Sequence, residues 1–230
     1  MGADEKGVAC GACWSRLPLL PKPWCDRCGH PLPLTAADHR LPSTVCPLCP
    51  QLHPRVERVR SVCWVPHAAS SPLLAALKYE GWSAMADGMA LRMARSRSEL
   101  LDGIVEPVFI PVPLAPGRWR ERGFNQSELL ARGLALRTAG EVRTDVLMRV
   151  RETGSQTQLT PGERLVNVYS AFAVPEPRVA GIRGRSLVLV DDVITTGATL
   201  NACAGALLDG GASHVRYWTF GRARTDADRP

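Results

Sequence analysis

Two adjacent acids followed by a hydroxyl-rich loop are the residues of this sequence best suited to chemistry. Asp191 and Asp192 follow the apolar run Leu187–Val190, whose length and composition favour a parallel strand buried on both faces. The sequence Thr195-Thr196-Gly197-Ala198-Thr199 predicts a loop, and Leu200–Leu208 predicts a helix after it. Ligands bind beyond the carboxyl ends of parallel strands, and the N–H groups at a helix start bind anions.

This arrangement predicts a site for a ribose 5-phosphate. Paired carboxylates suit sugar hydroxyls, whereas threonine hydroxyls and backbone N–H groups suit a phosphate. Gly197 would let the loop approach the phosphate without a Cβ in the way. The loop has no lysine of the Walker A kind, so the usual ATP-binding phosphate loop fits it poorly.

The stretch 186–200 resembles the phosphoribosyl pyrophosphate (PRPP) signature of type I phosphoribosyltransferases. The resemblance implies that Asp191 and Asp192 hold the ribose 2′- and 3′-hydroxyls, that Thr195–Thr199 bind the 5′-phosphate, and that Mg²⁺ accompanies PRPP. Purine-salvage members carry an aspartate at the third position after the second acid. Thr195 stands there, and since threonine is no base near neutral pH, purine salvage is disfavoured.

Further segments resemble one family in particular, the ComF family, which joins a zinc ribbon to a phosphoribosyltransferase-like domain. They are the N-terminal Cys-x-x-Cys pairs, the block Arg122-Gly123-Phe124-Asn125-Gln126, and the spacing of Gln156, Leu159, Glu163, Arg164 and Asn167. The resemblance covers the chain from Cys10 to about Arg222. It implies an α/β type I phosphoribosyltransferase fold at 61–222, with a zinc-ribbon module at 1–60 and a polar tail at 223–230.

The same resemblance assigns candidates to the pyrophosphate side of the ligand. The loop after the strand at 108–112 would contact pyrophosphate, which places Pro113 and Leu114 there. Arg118, Arg120 and Arg122 follow in the predicted loop, and guanidinium groups bind phosphate oxygens in pairs. Arg122 is the preferred contact, and a solvated basic surface is the alternative. The polar segment 151–159, which contains Gln156, resembles the mobile loop that closes over PRPP.

Three Cys-x-x-Cys pairs in the first fifty residues predict a metal site, because two such pairs complete a tetrahedral zinc shell. Gly29 and His30 follow the second pair as in a zinc knuckle, which favours structural Zn²⁺ on Cys25, Cys28, Cys46 and Cys49. Three interpretations are open for the first pair, Cys10 and Cys13: the remnant of a second ribbon, a sign that the sequence starts too far downstream, or partners of Cys25 and Cys28 in a rearranged site. Cys63 and Cys203 stand alone among apolar residues and are expected in the core.

Composition and periodicity agree with this organisation. Of 230 residues, 45% are hydrophobic and 22% charged, and no apolar run reaches the ~20 residues of a membrane span. No secretory signal is recognisable, so we expect a cytoplasmic protein with reduced cysteines and no membrane insertion. Alternating patterns predict strands at 61–66, 108–112, 146–150, 171–174 and 215–220, and helices at 71–79, 84–94, 125–136 and 160–168. This alternation favours a parallel sheet. Met85, Met89 and Met93 are expected in the core.

Three functions remain open at this stage. The first is transfer of the phosphoribosyl group from PRPP to an unidentified acceptor, with release of pyrophosphate. The second is single-stranded DNA handling, with PRPP as ligand or vestige, since the ComF resemblance implies natural transformation and DNA uptake. A net charge of +6, six tryptophans and two basic clusters (Arg55, Arg58 and Arg60; Arg92, Arg95 and Arg97) favour it. The third is a nucleotide-sensing regulator.

Overall fold

The computed structural model describes residues 9–32, 46–79, 83–150 and 171–224. Its strands are β1 (Val56–Arg60), β2 (Cys63–Val65), β3 (Val108–Pro111), β4 (Glu141–Val142), β5 (Met148–Arg149), β6 (Phe172–Ala173), β7 (Ser186–Ile194) and β8 (His214–Ala223). A six-stranded sheet has the order β1-β8-β7-β3-β4, with β2 also paired to β8. All its pairings are parallel, and β5 and β6 form a separate antiparallel pair. The predicted parallel α/β sheet is confirmed.

The helices cover both faces of this sheet. They are α1 (Gly11–Ser15), α2 (Ser70–Tyr79), α3 (Ser83–Met93), α4 (Arg97–Leu100), α5 (Pro116–Arg122), α6 (Gln126–Thr138), α7 (Glu176–Val179) and α8 (Ala198–Asp209). The central strand β7 shows how they pack. Leu187 and Leu189 belong to a core that contains α8 residues and the cysteines near the N-terminus. Val188 and Val190 belong to the opposite core, with residues of α2, α3 and α6, because successive side chains of a strand face opposite sides.

The core contains the residues that the sequence placed there. Met85, Met89 and Met93 are almost wholly buried between α3 and the sheet, and Cys63 and Cys203 are buried as well. The predicted strands and helices within the described residues occur with shifted ends. The predicted helix at 160–168, the segment 151–159 with Gln156, and the tail from 225 onward lie outside the described residues.

Three local predictions need correction. Strand β7 does not end before the acids but continues through them to Ile194, because its pairing with β8 continues to Ile194 and Arg222. Ala198 and Thr199 lie in the first turn of α8 rather than in a loop. Arg118, Arg120 and Arg122 lie on helix α5, which Pro116 begins and the left-handed Gly123 (φ 73°) ends.

The sheet also begins earlier than the sequence suggested. Strand β1 lies at residues 56–60, within the range predicted for the ribbon module, and pairs with β8 from Val56 to Arg60. The division of the chain at residues 60 and 61 stays a prediction. Among the described residues, no helix is long and apolar enough to cross a membrane.

Candidate functional site

The two acids of β7 are held by residues from the start of α6. Asp191 Oδ1 accepts a hydrogen bond of 2.8 Å from Ser127 Oγ and another of 2.9 Å from the backbone N–H of Asp192. Asn125 caps α6 by accepting from Ser127 N at 3.0 Å, and its own Nδ2 donates to Val112 O at 3.0 Å. The cap therefore ties α6 to the end of β3 and points Ser127 at the acid pair.

The main partner of Asp192 is Lys78, near the end of α2. Asp192 follows Val188 and Val190 at the spacing of two that keeps side chains on one face of a strand, here the face that α2 and α6 cover. The Lys78 ammonium forms an ion pair with Asp192 Oδ2, and Gln126 Nε2 lies 3.4 Å from Oδ1. The Asp192 side chain is only 7% exposed, so this ion pair is largely shielded from solvent.

A second cation, Arg122, lies beside these groups. Its Nη1 donates to Gln126 Oε1 at 3.0 Å, and its guanidinium carbon lies 4.9 Å from the centre of the Tyr79 ring. The block from Arg122 to Gln126 thus reaches Asp192 through Gln126. Among the described residues, no hydrogen-bond partner satisfies the buried Nε of Arg122, so the guanidinium retains a donor. Arg118 instead pairs with Glu121 at 2.8 Å on the surface.

Burial raises the pKa of Asp191 above its usual range, and the charge of the adjacent Asp192 raises it further. The hydrogen bond from Ser127 acts in the opposite direction because it stabilises the carboxylate. Two carboxylates placed side by side in a shielded site repel each other. The ammonium of Lys78 offsets part of that repulsion.

The predicted phosphate loop lies directly beyond the acids. Thr195 and Thr196 are exposed, and Gly197 precedes α8 with a φ of 80°, a left-handed conformation that glycine adopts without strain. Gly197 has no side chain to cap α8, and of the N–H groups in the first turn that of Ala198 lies 3.4 Å from Thr196 Oγ1 in the loop. The twelve-residue α8 thus begins where an anion would lie if it bound the loop.

A cleft of about 490 Å³ lies at the ends of β3 and β4. Pro113 and Leu114, both predicted on the pyrophosphate side, line it together with Asn125 of the α6 cap. Trp119, with 48% of its surface exposed, and Arg120 line it from α5. The cleft and the acid pair are therefore neighbours across the start of α6.

The structure brings the four predicted metal ligands together. The Sγ atoms of Cys25, Cys28, Cys46 and Cys49 all lie within 4.8 Å of one another, and all four residues are buried. Burial raises the pKa of Cys49, and the hydrogen bond with Cys25, together with burial, raises that of Cys28. A divalent cation is what allows such thiols to ionise together. The donor set is therefore compatible with structural zinc.

This cluster is docked firmly on the sheet. Gly29 (φ 68°) lies so close to β1 that a Cβ there would be 2.4 Å from Val59 O, and Val59 N donates to Arg27 O at 2.7 Å. On the other side, Asn201 of α8 donates to Gln51 O at 2.7 Å and accepts from His53 N at 3.0 Å. The cysteine cluster thus contacts the helix that follows the phosphate loop.

Cys10 and Cys13 are separate from this cluster. Both are exposed at the start of α1, with their Sγ atoms 3.5 Å apart. Within the parts of the chain that the structure describes, the four buried cysteines form the only group of three or more metal-ligating side chains. Cys25 and Cys28 are therefore grouped with Cys46 and Cys49 rather than with Cys10 and Cys13. His30 packs its ring 5.8 Å from that of Trp64, and His53 accepts from Arg55 N, so both contact protein groups.

One predicted basic cluster is occupied within the protein. Arg60 has a side chain only 5% exposed and bonds Glu99 at 3.1 Å. Arg58 contacts the carbonyl of Glu99 and pairs with Asp102, while Arg55 donates to the carbonyls of Ala212 and Ser213. These contacts hold Arg58 and Arg60 at the sheet edge and Arg55 against the loop before β8, and contact of the three arginines with nucleic acid stays a prediction.

Sequence reasoning missed several residues at this site. Lys78, Tyr79 and Ser127 were assigned no role, and Gln126 was noted only as part of a family block. A weak signal existed for Lys78, since the chain has only three lysines among 28 basic residues. Asn201, in the middle of an apolar helix, was a further signal because a buried amide needs partners.

Comparisons with known proteins identify a matching domain and several relatives. The family model described as a phosphoribosyl transferase domain matches residues 121–230. DNA utilization protein YhgH of Shigella flexneri is 33% identical over 217 residues, covering 93% of this chain and 89% of that protein. YhgH of Salmonella typhimurium is 34% identical, covering 92% and 97%. Competence protein F of Haemophilus influenzae is 33% identical, covering 59% and 57%.

The fold and the matched domain define a protein with a phosphoribosyltransferase domain, and the cysteine cluster on the N-terminal side of that domain is compatible with zinc. The long matches to the two YhgH proteins narrow this class. The chain belongs to the ComF family, which confirms the resemblance found in its sequence.

Proposed function

We propose that this protein binds PRPP at the end of β7 and transfers its phosphoribosyl group to an acceptor, with release of pyrophosphate. The observation that carries the proposal is the acid pair itself. Asp191 and Asp192 are fixed by Ser127, Gln126 and Lys78 directly before an exposed threonine loop and the start of α8. Carboxylates then accept from the ribose hydroxyls, while the loop and helix N–H groups bind the 5′-phosphate.

The chemistry would take place at C1 of the ribose. The C1–O bond to pyrophosphate breaks with its electron pair leaving on the pyrophosphate oxygen. A nucleophilic atom of the acceptor forms the new bond to C1 and loses its proton. Mg²⁺ prefers oxygen ligands, which the pyrophosphate and the ribose hydroxyls supply, and when bound it neutralises charge on the leaving group. Arg122 and the cleft residues Pro113 and Leu114 are the candidates on the pyrophosphate side.

The test measures PRPP binding by calorimetry in the presence of Mg²⁺. The double variant Asp191→Asn, Asp192→Asn should bind PRPP at least about 100-fold more weakly, because each carboxylate loses charge-assisted hydrogen bonds to the ribose. The matched control is Asp87→Asn, Asp102→Asn, two exposed acids away from the site. Unchanged PRPP affinity in the folded Asp191/Asp192 variant would remove the proposal.

Pyrophosphate release across a panel of acceptors tests the transfer step. Release that depends on both PRPP and one acceptor class supports an enzyme. Tight PRPP binding without release for any acceptor would instead support a PRPP-sensing regulator. Since threonine stands at position 195, we expect purine bases to be poor acceptors.

Single-stranded DNA handling is a second candidate, which the names of the relatives support and for which one groove provides an observation. The groove, of about 350 Å³, lies between the N-terminal segment and α3 and is lined by Trp14, Trp24, Lys22, Arg92 and Arg95. The Arg92 guanidinium stacks 3.7 Å from the Trp14 ring centre. The acid that lines the groove, Glu99, is already paired with Lys22 and Arg60. Cations beside aromatic rings suit phosphates and stacked bases.

This candidate has its own test. Lys22→Ala with Arg95→Ala should weaken binding of a single-stranded oligonucleotide and reduce the slope of log affinity against log salt by about 1 to 2. The charge-matched control Arg178→Ala with Arg183→Ala should change neither. PRPP affinity should stay the same in both variants. Oligonucleotide binding that is undetectable, or equally affected by both pairs, would exclude the groove.

A further inference from the structure

The ion pair between Lys78 and Asp192 has a consequence for how the site would distinguish ligands. Lys78 is the penultimate residue of α2, and its side chain remains 25% exposed although it contacts a nearly buried carboxylate. The chain uses arginine for almost all its cations, with three lysines among 28 basic residues. Arginine binds carboxylates through a rigid fork, whereas the lysine ammonium is a compact charge on a flexible stem.

The position of Lys78 also bears on the choice between ligands. In PRPP, the pyrophosphate is bonded to C1, and the neighbouring C2 carries one of the two hydroxyls assigned to the acid pair. With the ribose hydroxyls of PRPP at the acid pair, a cation that contacts Asp192 would therefore lie close to the pyrophosphate oxygens. Ribose 5-phosphate has the same hydroxyls and the same 5′-phosphate, but no pyrophosphate. The two ligands differ at the place that the Lys78 ammonium can reach.

We propose that Lys78 is a specificity-determining residue whose ammonium leaves Asp192 for the pyrophosphate when PRPP binds. In the protein without ligand, Lys78 offsets the charge of the acid pair. Ribose hydroxyls then replace it as donors to the carboxylate, and the more highly charged pyrophosphate accepts the ammonium. The site would thereby favour PRPP over ribose 5-phosphate. This inference rests on the proposed function, because it requires PRPP to bind at the acid pair.

The experiment compares two ligands in one variant. In Lys78→Met, calorimetry with Mg²⁺ should show PRPP affinity reduced about 10- to 100-fold, the range expected for one lost charge-assisted hydrogen bond. Affinity for ribose 5-phosphate should change by less than about 3-fold, because that ligand never receives the ammonium. Lys78→Arg keeps the charge and should recover part of the PRPP affinity. Lys22→Met, which removes a lysine paired with Glu99, is the matched control.

The outcomes separate the inference from the proposed function. An equal loss of affinity for both ligands in Lys78→Met would mean that Lys78 only orients Asp192. That result would overturn the proposal that the ammonium moves from Asp192 to the pyrophosphate. Unchanged PRPP affinity in that variant, with tight binding by the wild type, also overturns the inference and leaves the proposed function intact. A wild type that does not bind PRPP overturns both. Lys78→Gln provides a second neutral variant if Lys78→Met fails to fold.

Discussion

In the cysteine cluster, four buried thiols lie within 4.8 Å of one another. At the end of β7, the carboxylates of Asp191 and Asp192 are neighbours, and Lys78 forms an ion pair with Asp192. Both regions bring groups together that repel each other once they ionise. The cluster is compatible with a bound zinc ion, which would neutralise the thiolates and hold the two knuckles together. At the acid pair, the side chain of Lys78 offsets the negative charge instead of a metal ion, and a side chain can adopt another conformation.

This difference indicates different roles for the two regions. A metal ion with four protein ligands has no open position, so the cluster is suited to stability. At the acid pair, the exchange proposed above would replace the ammonium of Lys78 by the donors of a ligand. Asn201 connects the two regions because it bonds Gln51 and His53, just after Cys49, and lies one turn into α8, where its N–H donates to Gly197 O at 2.8 Å.

The largest effect is expected from removing one ligand of the cluster. Cys28→Ser should abolish binding of about one Zn²⁺ per chain and lower the free energy of unfolding by several kcal/mol, because the metal contributes directly to folding. Metal content by mass spectrometry and thermal unfolding measure both effects. Cys10→Ser, at an exposed cysteine, is the control and should keep the metal. Equal metal loss in both variants would contradict the assignment of ligands.

A pair of glycines tests how closely the cysteine cluster is docked on β1. Gly29 and Gly103 both have positive φ angles, 68° and 74°, so alanine costs about 1–2 kcal/mol at either position. Only at Gly29 would the new Cβ meet the backbone, at 2.4 Å from Val59 O, whereas nothing lies within 4 Å at Gly103. Denaturant unfolding should therefore show Gly29→Ala clearly less stable than Gly103→Ala. Similar losses of stability in the two variants would mean that the cysteine cluster can shift away from β1.

The connection through Asn201 predicts a smaller effect that reaches both regions. Asn201→Ala should cost about 1–3 kcal/mol, because it removes the partners of Gln51 O and His53 N. It should also weaken PRPP binding a few-fold by loosening the start of α8. Tyr217→Phe removes one hydrogen bond to Asn201 Oδ1 and leaves the contact with the knuckle. If PRPP affinity falls equally in both variants, the contacts of Asn201 with Gln51 and His53 do not support PRPP binding.

A further expected effect is a pH dependence of stability with opposite signs at two aspartates. The raised pKa of Asp191 means that the folded state holds its proton more tightly than the unfolded state does. Its contribution to stability is therefore complete below about pH 4, and is lost as the pH rises toward the folded pKa. Asp191→Asn should remove that decline from a series of unfolding curves.

Asp145 provides the opposite case within the same chain. The hydrogen bond from Arg143 lowers the pKa of Asp145, so its contribution is present above about pH 4 and is lost as the pH falls. The substitution Asp145→Asn should accordingly have little effect on the free energy of unfolding in acid.

For Asp191, wild-type and Asp191→Asn stability curves that stay parallel from pH 4 to pH 8 would show that the carboxyl group of Asp191 is ordinarily solvated.

The sequence predicted more of the cysteine cluster than of the acid site. Cys-x-x-Cys spacing and the knuckle residues after Cys28 identified the four thiols that the structure brings together. At the acid site, the strand, the acids and the loop were located, but Lys78 and Ser127 were not. Strand β1 was also missed, because three of its five residues (Val56-Glu57-Arg58-Val59-Arg60) are charged and the segment resembles an exposed surface. Only the sheet shows that its arginines bond neighbouring chain segments.

The sequence by itself determined the local features of this protein. The acids, the loop and the start of α8 lie within fifteen consecutive residues, so the geometry of one strand, one turn and one helix brings them together. The tertiary structure decided which side chains face them. Ser127 is 64 residues from Asp191, and Gln126 is 66 residues from Asp192. Such contacts depend on the order of the strands and on the packing of α2 and α6 against one face of the sheet, which local spacing does not specify.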